Sequence, residues 1–134
     1  MIFRIFSVLD FDSRPGTLGG IIKQAIYEKR QISIKNALDK RDFLTPKTIA
    51  QTIEKCISKD IDGGIYNICS GETRSVKQAA QAMLRKAKLP ETWFEFSMET
   101  SEVPVLFGDN SNLRKAVPGI QKTLTWEPSE FQHY

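Results

Sequence analysis

Short runs rich in Ile, Phe and Val alternate in this chain with segments whose apolar residues recur at helical spacing. That alternation restricts the fold to the α/β class with a small sheet. Ile2 to Val8 reads as a buried strand. A loop punctuated by Asp12, Ser13, Pro15 and Gly16 follows, and Thr17 to Lys29 then places Leu18, Ile21, Ile22, Ala25 and Ile26 on one helical face. Gly19 and Gly20 weaken the first turn of that helix. Gln31 to Lys35 predicts a short strand, with Ile32 and Ile34 on one side and Ser33 and Lys35 on the other.

Arg41 to Leu44 is a second short extended piece. Thr45 is placed to cap a helix that opens on Pro46 and runs to about Ser58, burying Ile49, Ile53 and Ile57. Asp62-Gly63-Gly64 turns into a strand from Ile65 to Cys69, and Ser70-Gly71-Glu72 leads to a helix from about Ser75 to Ala87. Trp93 to Phe96 suits a last strand, and Asn110 to Ala116 a short capped helix. From about residue 117, Pro118-Gly119 and Pro128 mark an irregular tail. The expectation is a single unit over 1–134, a small sheet with flanking helices.

At 134 residues the chain holds one modest core. Its net charge of +3 is mild and scattered, and no aromatics interleave with Lys29-Arg30 or with Lys86 and Lys88. Nucleic acid is therefore not an expected partner. Cys56 and Cys69 have neither metal-ligand spacing nor disulfide-scaffold density, so reduced thiols in a cytoplasmic protein are expected. No apolar run is long enough to span a bilayer, and Met1 to Phe11 lacks the pattern of a signal peptide. A methionine set directly on a strand suggests an excised fragment, a split gene or a truncated reading frame.

Most routes to chemistry are closed. Gly16-Thr17-Leu18-Gly19-Gly20 lacks the G-x-G-x-x-G spacing of a dinucleotide loop, and no phosphate loop ending in Gly-Lys-Ser/Thr occurs. His133 stands alone in a polar tail, and no pair of carboxylates is placed for acid–base work. Arg41 is the exception. A guanidinium stays charged and meets two phosphate oxygens at once, although pairing with Asp39 or Asp42 would make it an ordinary surface residue.

Three motifs carry a family resemblance: Arg4-Ile5-Phe6-Ser7-Val8, Arg41-Asp42-Phe43-Leu44, and Gly63-Gly64-Ile65-Tyr66-Asn67-Ile68-Cys69-Ser70-Gly71. In this order and spacing the chain resembles the carboxy-terminal, substrate-binding part of NAD-dependent nucleotide-sugar epimerases and dehydratases. These are the extended short-chain dehydrogenases/reductases. The likeness runs over about residues 3 to 128, including Val103-Pro104 to Lys115 and Leu124-Thr125-Trp126-Glu127-Pro128. It implies a substrate lobe without its Rossmann half. NAD(P) would belong to the complete fold, with none bound by this chain alone. The implied ligand is a nucleotide-diphosphate sugar.

Residue by residue, the resemblance gives Arg41 the substrate's diphosphate, and Ser33 and Lys35 the edge that holds base and ribose. Thr17 and Leu18 fall where a helix start touches the phosphates. Ser7 stands where the family has an asparagine that touches substrate. The family's catalytic tyrosine, followed four residues later by lysine, has no counterpart: Tyr27 is followed at that offset by Gln31, Tyr66 by Ser70, and Tyr134 is last. Other departures are Pro46-Lys47-Thr48 for a valine and acidic pair, and Glu99 to Glu102 where a second phosphate-binding arginine is expected. Two readings follow: an enzyme lobe lacking its chemistry, or a non-catalytic interaction protein. The first implies a Rossmann half, which another chain could supply. The second implies a protein partner or a dimer covering the apolar surface that packs on that half, with the sheet edge at Ile2 to Val8 as the exposed site.

Overall fold

The computed structural model describes residues 1–97 and 104–126. Expectations that fall on Glu99, Glu102, Val103, Pro128, His133 and Tyr134 lie outside the described residues. The chain begins with β1 (Ile2–Ile5) and β2 (Ser7–Val8), followed by α1 (Leu18–Glu28) and β3 (Ile32–Ile34). Next come β4 (Lys40–Arg41), β5 (Phe43–Leu44), α2 (Pro46–Ser58) and β6 (Ile65–Ile68). After β7 (Arg74–Ser75) and α3 (Val76–Lys86), the last elements are β8 (Phe94–Phe96), β9 (Val105–Leu106) and α4 (Ser111–Ala116).

The run expected as one buried strand divides at Phe6 because its halves take different partners. β1 lies parallel to β6, Ile2 opposite Ile65 through Ile5 opposite Ile68. β2 lies parallel to β5, Ser7 opposite Phe43. The run is also not buried: Ile2, Ile5 and Val8 are all exposed. Among the described residues β1 is paired on one edge only, so nothing covers its other side. β3 pairs in parallel with β8, and β4 lies between antiparallel β7 and parallel β9.

Helix boundaries follow local chemistry. Thr17, Thr45 and Ser75 each accept a hydrogen bond from a first-turn amide, and Ser75 with Gln78 completes a reciprocal capping box. Pro46 opens α2, where its missing N–H leaves nothing unsatisfied. Asn110 precedes α4 but does not cap it with its side chain. Asp109 accepts from the Ser111 amide instead, at 2.8 Å, which frees the Asn110 amide for the loop described below.

Two apolar clusters form around these elements. The first joins α1 and α3 to β3 and β8 through Ile22, Ala25, Ile34, Met83, Leu84 and Phe94. The second joins α2 and α4 to β6 through Ile49, Cys56, Ile68 and Leu113. Ile57 corrects the expectation for α2, being 66% exposed. The buried stripe is Thr48, Ile49, Thr52 and Cys56. At about 100° per residue, Ile57 lies roughly 125° from its centre. The irregular stretch after residue 117 is nonetheless held in place, with Val117, Ile120, Leu124 and Trp126 buried.

Candidate functional site

Arg41 lies on the central strand of the three-stranded ladder and is half-buried. Its Nη2 donates to Asp39 Oδ2 at 3.1 Å and its Nη1 to the Lys40 carbonyl at 3.1 Å. The ion pair is therefore with Asp39, not Asp42. The two alternate along the strand, so Asp39 and Arg41 share a face that Asp42 does not.

Asp42 points into the protein and is fully buried. Its Oδ1 accepts from the Ser70 amide and the Ser70 hydroxyl, both at 2.8 Å. Its Oδ2 accepts from the Gly71 amide at 2.8 Å, with the Gly108 amide further off at 3.5 Å. One carboxylate thus anchors the Arg41 segment to the turn after β6 and to the loop before α4. Gly71 holds φ 79°, a conformation that favours glycine. Asn110 Nδ2 extends the network to the Cys69 carbonyl at 2.9 Å and to Gln121 Oε1 at 3.1 Å. Gln121 Nε2 in turn donates to the Ser70 carbonyl at 3.0 Å.

Sequence reading missed this network. Its available signal was an acidic residue between a strand arginine and Phe43, facing the opposite side from the arginine. Cys69, buried beside Asp42, has its thiol pushed up to about 12, mainly by burial and secondarily by the neighbouring carboxylate. Burial also raises the Cys56 thiol. Neither thiol is a nucleophile near neutral pH.

Ser7 adjoins this region: its amide donates to the Asp42 carbonyl at 3.2 Å. Beside it is an open cleft of about 450 Å³, whose lining includes Phe6, Val8, Asp10, Arg14, Thr17 and Pro46. Thr17 is occupied as a cap, its hydroxyl oxygen accepting from Gly20 and donating to the Arg14 carbonyl. Leu18 is partly buried against the first apolar cluster. The backbone bond joins Ser7 to the Arg41 segment, while Thr17 lies on the cleft. Ser33 and Lys35 are exposed on and just after β3, and the chain continues from them through the 36–39 turn to Arg41.

Gly19 and Gly20 have a packing reason. A Cβ on Gly19 would lie 1.9 Å from the Asp10 carbonyl oxygen, and one on Gly20 would lie 2.1 Å from that of Arg14. The loop before α1 lies directly on the helix start, so backbone fills the space beside these two glycines. Among the described residues, no group of three or more His, Cys, Asp or Glu side chains could hold a metal ion. None of the described helices is long and apolar enough to cross a membrane.

The class defined by this architecture is a small α/β unit with the fold of part of an extended short-chain dehydrogenase/reductase. No protein-family model matches the sequence, and no curated protein matches it. The likeness is with solved structures that include epimerases and dehydratases. RMD from Pseudomonas aeruginosa, complexed with NADPH, is 16% identical with a TM-score of 0.68, covering 91% of this chain and 44% of that one. The dTDP-glucose 4,6-dehydratase of Bacillus anthracis, in complex with NAD, is 14% identical with a TM-score of 0.64 over 96% of this chain and 44% of that one. A UDP-N-acetylglucosamine 4-epimerase from Methanobrevibacter ruminantium, in complex with UDP-N-acetylmuramic acid, is 19% identical with a TM-score of 0.65 over 91% and 42%. The chain spans less than half the length of these structures, and at such identities the likeness is one of fold.

Proposed function

We propose that this chain is the carboxy-terminal nucleotide-sugar-binding portion of an NAD(P)-dependent epimerase, dehydratase or reductase, and that it does not turn over substrate alone. The supporting observation is a fold shared with under half of such enzymes, with Arg41 half-buried at the centre of its three-stranded ladder. Arg41 exchanges its bonds to Asp39 and the Lys40 carbonyl for the diphosphate, which it takes as a charged fork. Thr17 lines the cleft and with Leu18 borders the same phosphates, the Leu18 amide being the donor because the Thr17 amide already donates to the Arg14 carbonyl. Ser7, bonded through its amide to the Asp42 carbonyl, is assigned to the sugar, while Ser33 and Lys35 line the base and ribose. NAD(P) and the proton-transfer groups belong to a Rossmann half, on a separate chain or another part of a longer one, in the cytoplasm.

The test is a two-dimensional amide NMR titration with UDP, dTDP, GDP and CDP. Shifts clustered at Leu18, Ser33, Lys35 and Arg41 with one nucleotide support the reading and name its base. Measurable turnover of any nucleotide-sugar by this chain with NAD(P) would overturn it, and a well-dispersed spectrum unchanged by all four favours the second reading.

A second reading, a non-catalytic interaction protein, is favoured by the apolar surface. Ile2, Ile5 and Val8 are exposed along β1 and β2, as are Val105, Leu106 and Phe107. An unpaired strand edge of this kind invites a protein partner or a second copy. Light scattering distinguishes the cases: a dimer dissociated by Ile5→Lys supports this reading, and a strict monomer counts against it.

A further inference from the structure

We propose that Arg74 joins Arg41 in a two-guanidinium clamp for a diphosphate, an assignment that rests on the reading of Arg41 as a diphosphate contact. The two arginines are direct cross-strand partners, Arg41 on β4 opposite Arg74 on antiparallel β7. Directly opposed residues send their side chains to the same face of a sheet. Like charges so placed repel each other, and a strand pair with no use for them would be more stable with one replaced. The side chains are 29% and 27% exposed, which raises the repulsion above that of a solvated pair.

Arg74 is also braced. Its guanidinium lies over the Trp126 ring, 4.8 Å from the centroid, and Trp126 is itself buried. Its Nη2 reaches Glu72 Oε2 at 3.3 Å, and Glu72 is 71% exposed, so solvent screens that pair. Its Nη1 is buried without a hydrogen-bond partner among the described residues. A braced guanidinium beside a second one on the same face, each held by an acidic residue a ligand can displace, matches two adjacent phosphoryl groups. Neighbouring strand residues are spaced about as far apart as linked phosphates can bridge with two long side chains. Leu106, opposite Arg41 on β9 and exposed, adds an apolar flank for an attached group.

The experiment is calorimetric titration of inorganic pyrophosphate, and then of UDP, dTDP, GDP and CDP, into the unaltered chain and its Arg41→Gln, Arg74→Gln, Arg74→Lys and Glu72→Gln variants. Each glutamine variant of the arginines is expected to weaken pyrophosphate binding about tenfold or more, the effect of losing charge-assisted hydrogen bonds. Arg74→Lys retains part of the affinity, and Glu72→Gln, by releasing Arg74, tightens binding about two- to fivefold. Thermal melts of the same proteins separate support of Trp126 from ligand contact, because Glu72→Gln leaves the stack intact. Pyrophosphate binding that needs both arginines, with no nucleotide bound, keeps the clamp and overturns the nucleotide-sugar reading. Nucleotide binding that falls with Arg41→Gln but not with Arg74→Gln keeps that reading and overturns the clamp. Failure of the unaltered chain to bind pyrophosphate overturns the clamp outright.

Discussion

Replacing Asp42 with Asn tests the network that holds the Arg41 segment in place. The side chain keeps its shape, loses its charge, and must present an NH2 group at one of two oxygens that now accept hydrogen bonds. Oδ1 serves the Ser70 amide and hydroxyl, so the amide nitrogen is best accommodated at Oδ2, facing the Gly71 amide. There one charge-assisted bond is lost and two donors oppose each other in a buried site, a loss of about 2–3 kcal/mol. The two remaining bonds become neutral ones, each weaker by about 0.5–1 kcal/mol. The expected destabilisation is therefore about 3–5 kcal/mol. For a chain of this size that corresponds to a fall in Tm of about 10–25 °C. Urea unfolding at neutral pH, followed by circular dichroism, measures it directly. A loss below about 1 kcal/mol would refute the argument that one carboxylate ties the three segments together.

Three further outcomes are expected. Gly19→Ala forces a Cβ onto the Asp10 carbonyl oxygen, 1.9 Å away, and should destabilise by about 1–3 kcal/mol while displacing the loop that lines the cleft; an unchanged melting curve would contradict the close approach. Ile49→Ala should lose about 2–4 kcal/mol, whereas Ile57→Gln should stay within about 0.5 kcal/mol, and equal losses in denaturant melts would restore the expectation that both are buried. Cys69 titrates in the unfolded chain near 9 and in the folded protein near 12, so the folded state retains a proton that the unfolded state releases. Its contribution is complete below about 9 and is lost as pH rises toward about 12, with a slope of at most about 1.4 kcal/mol per pH unit. Comparing the unaltered chain with Cys69→Ala across that range isolates this term, and identical slopes would argue against the buried thiol.

Helix positions and caps were legible in the sequence because they are set by residues within one turn of each other. Thr45-Pro46, the helix start near Ser75, and the Ile32/Ile34 alternation are local signals, and each lies in the structure where it was expected. The outward face of Ser33 and Lys35 was legible for the same reason. Ile57 was misread because helical spacing defines a stripe and not its centre, which neighbouring elements choose. Ile2 to Val8 was misread because an Ile- and Phe-rich run signals an extended conformation without saying what covers it.

Taken alone, the sequence determined the α/β alternation, the capped helices and the arginine whose chemistry suits a phosphate, since all depend on neighbours along the chain. Only the tertiary structure decided that Arg41 pairs with Asp39, that Asp42 is buried as an anchor, and that Arg74 stands opposite Arg41. The physical reason is that strand register and buried hydrogen bonds join residues about thirty to seventy positions apart. Those pairings depend on how the elements pack, and packing is decided by the whole chain at once.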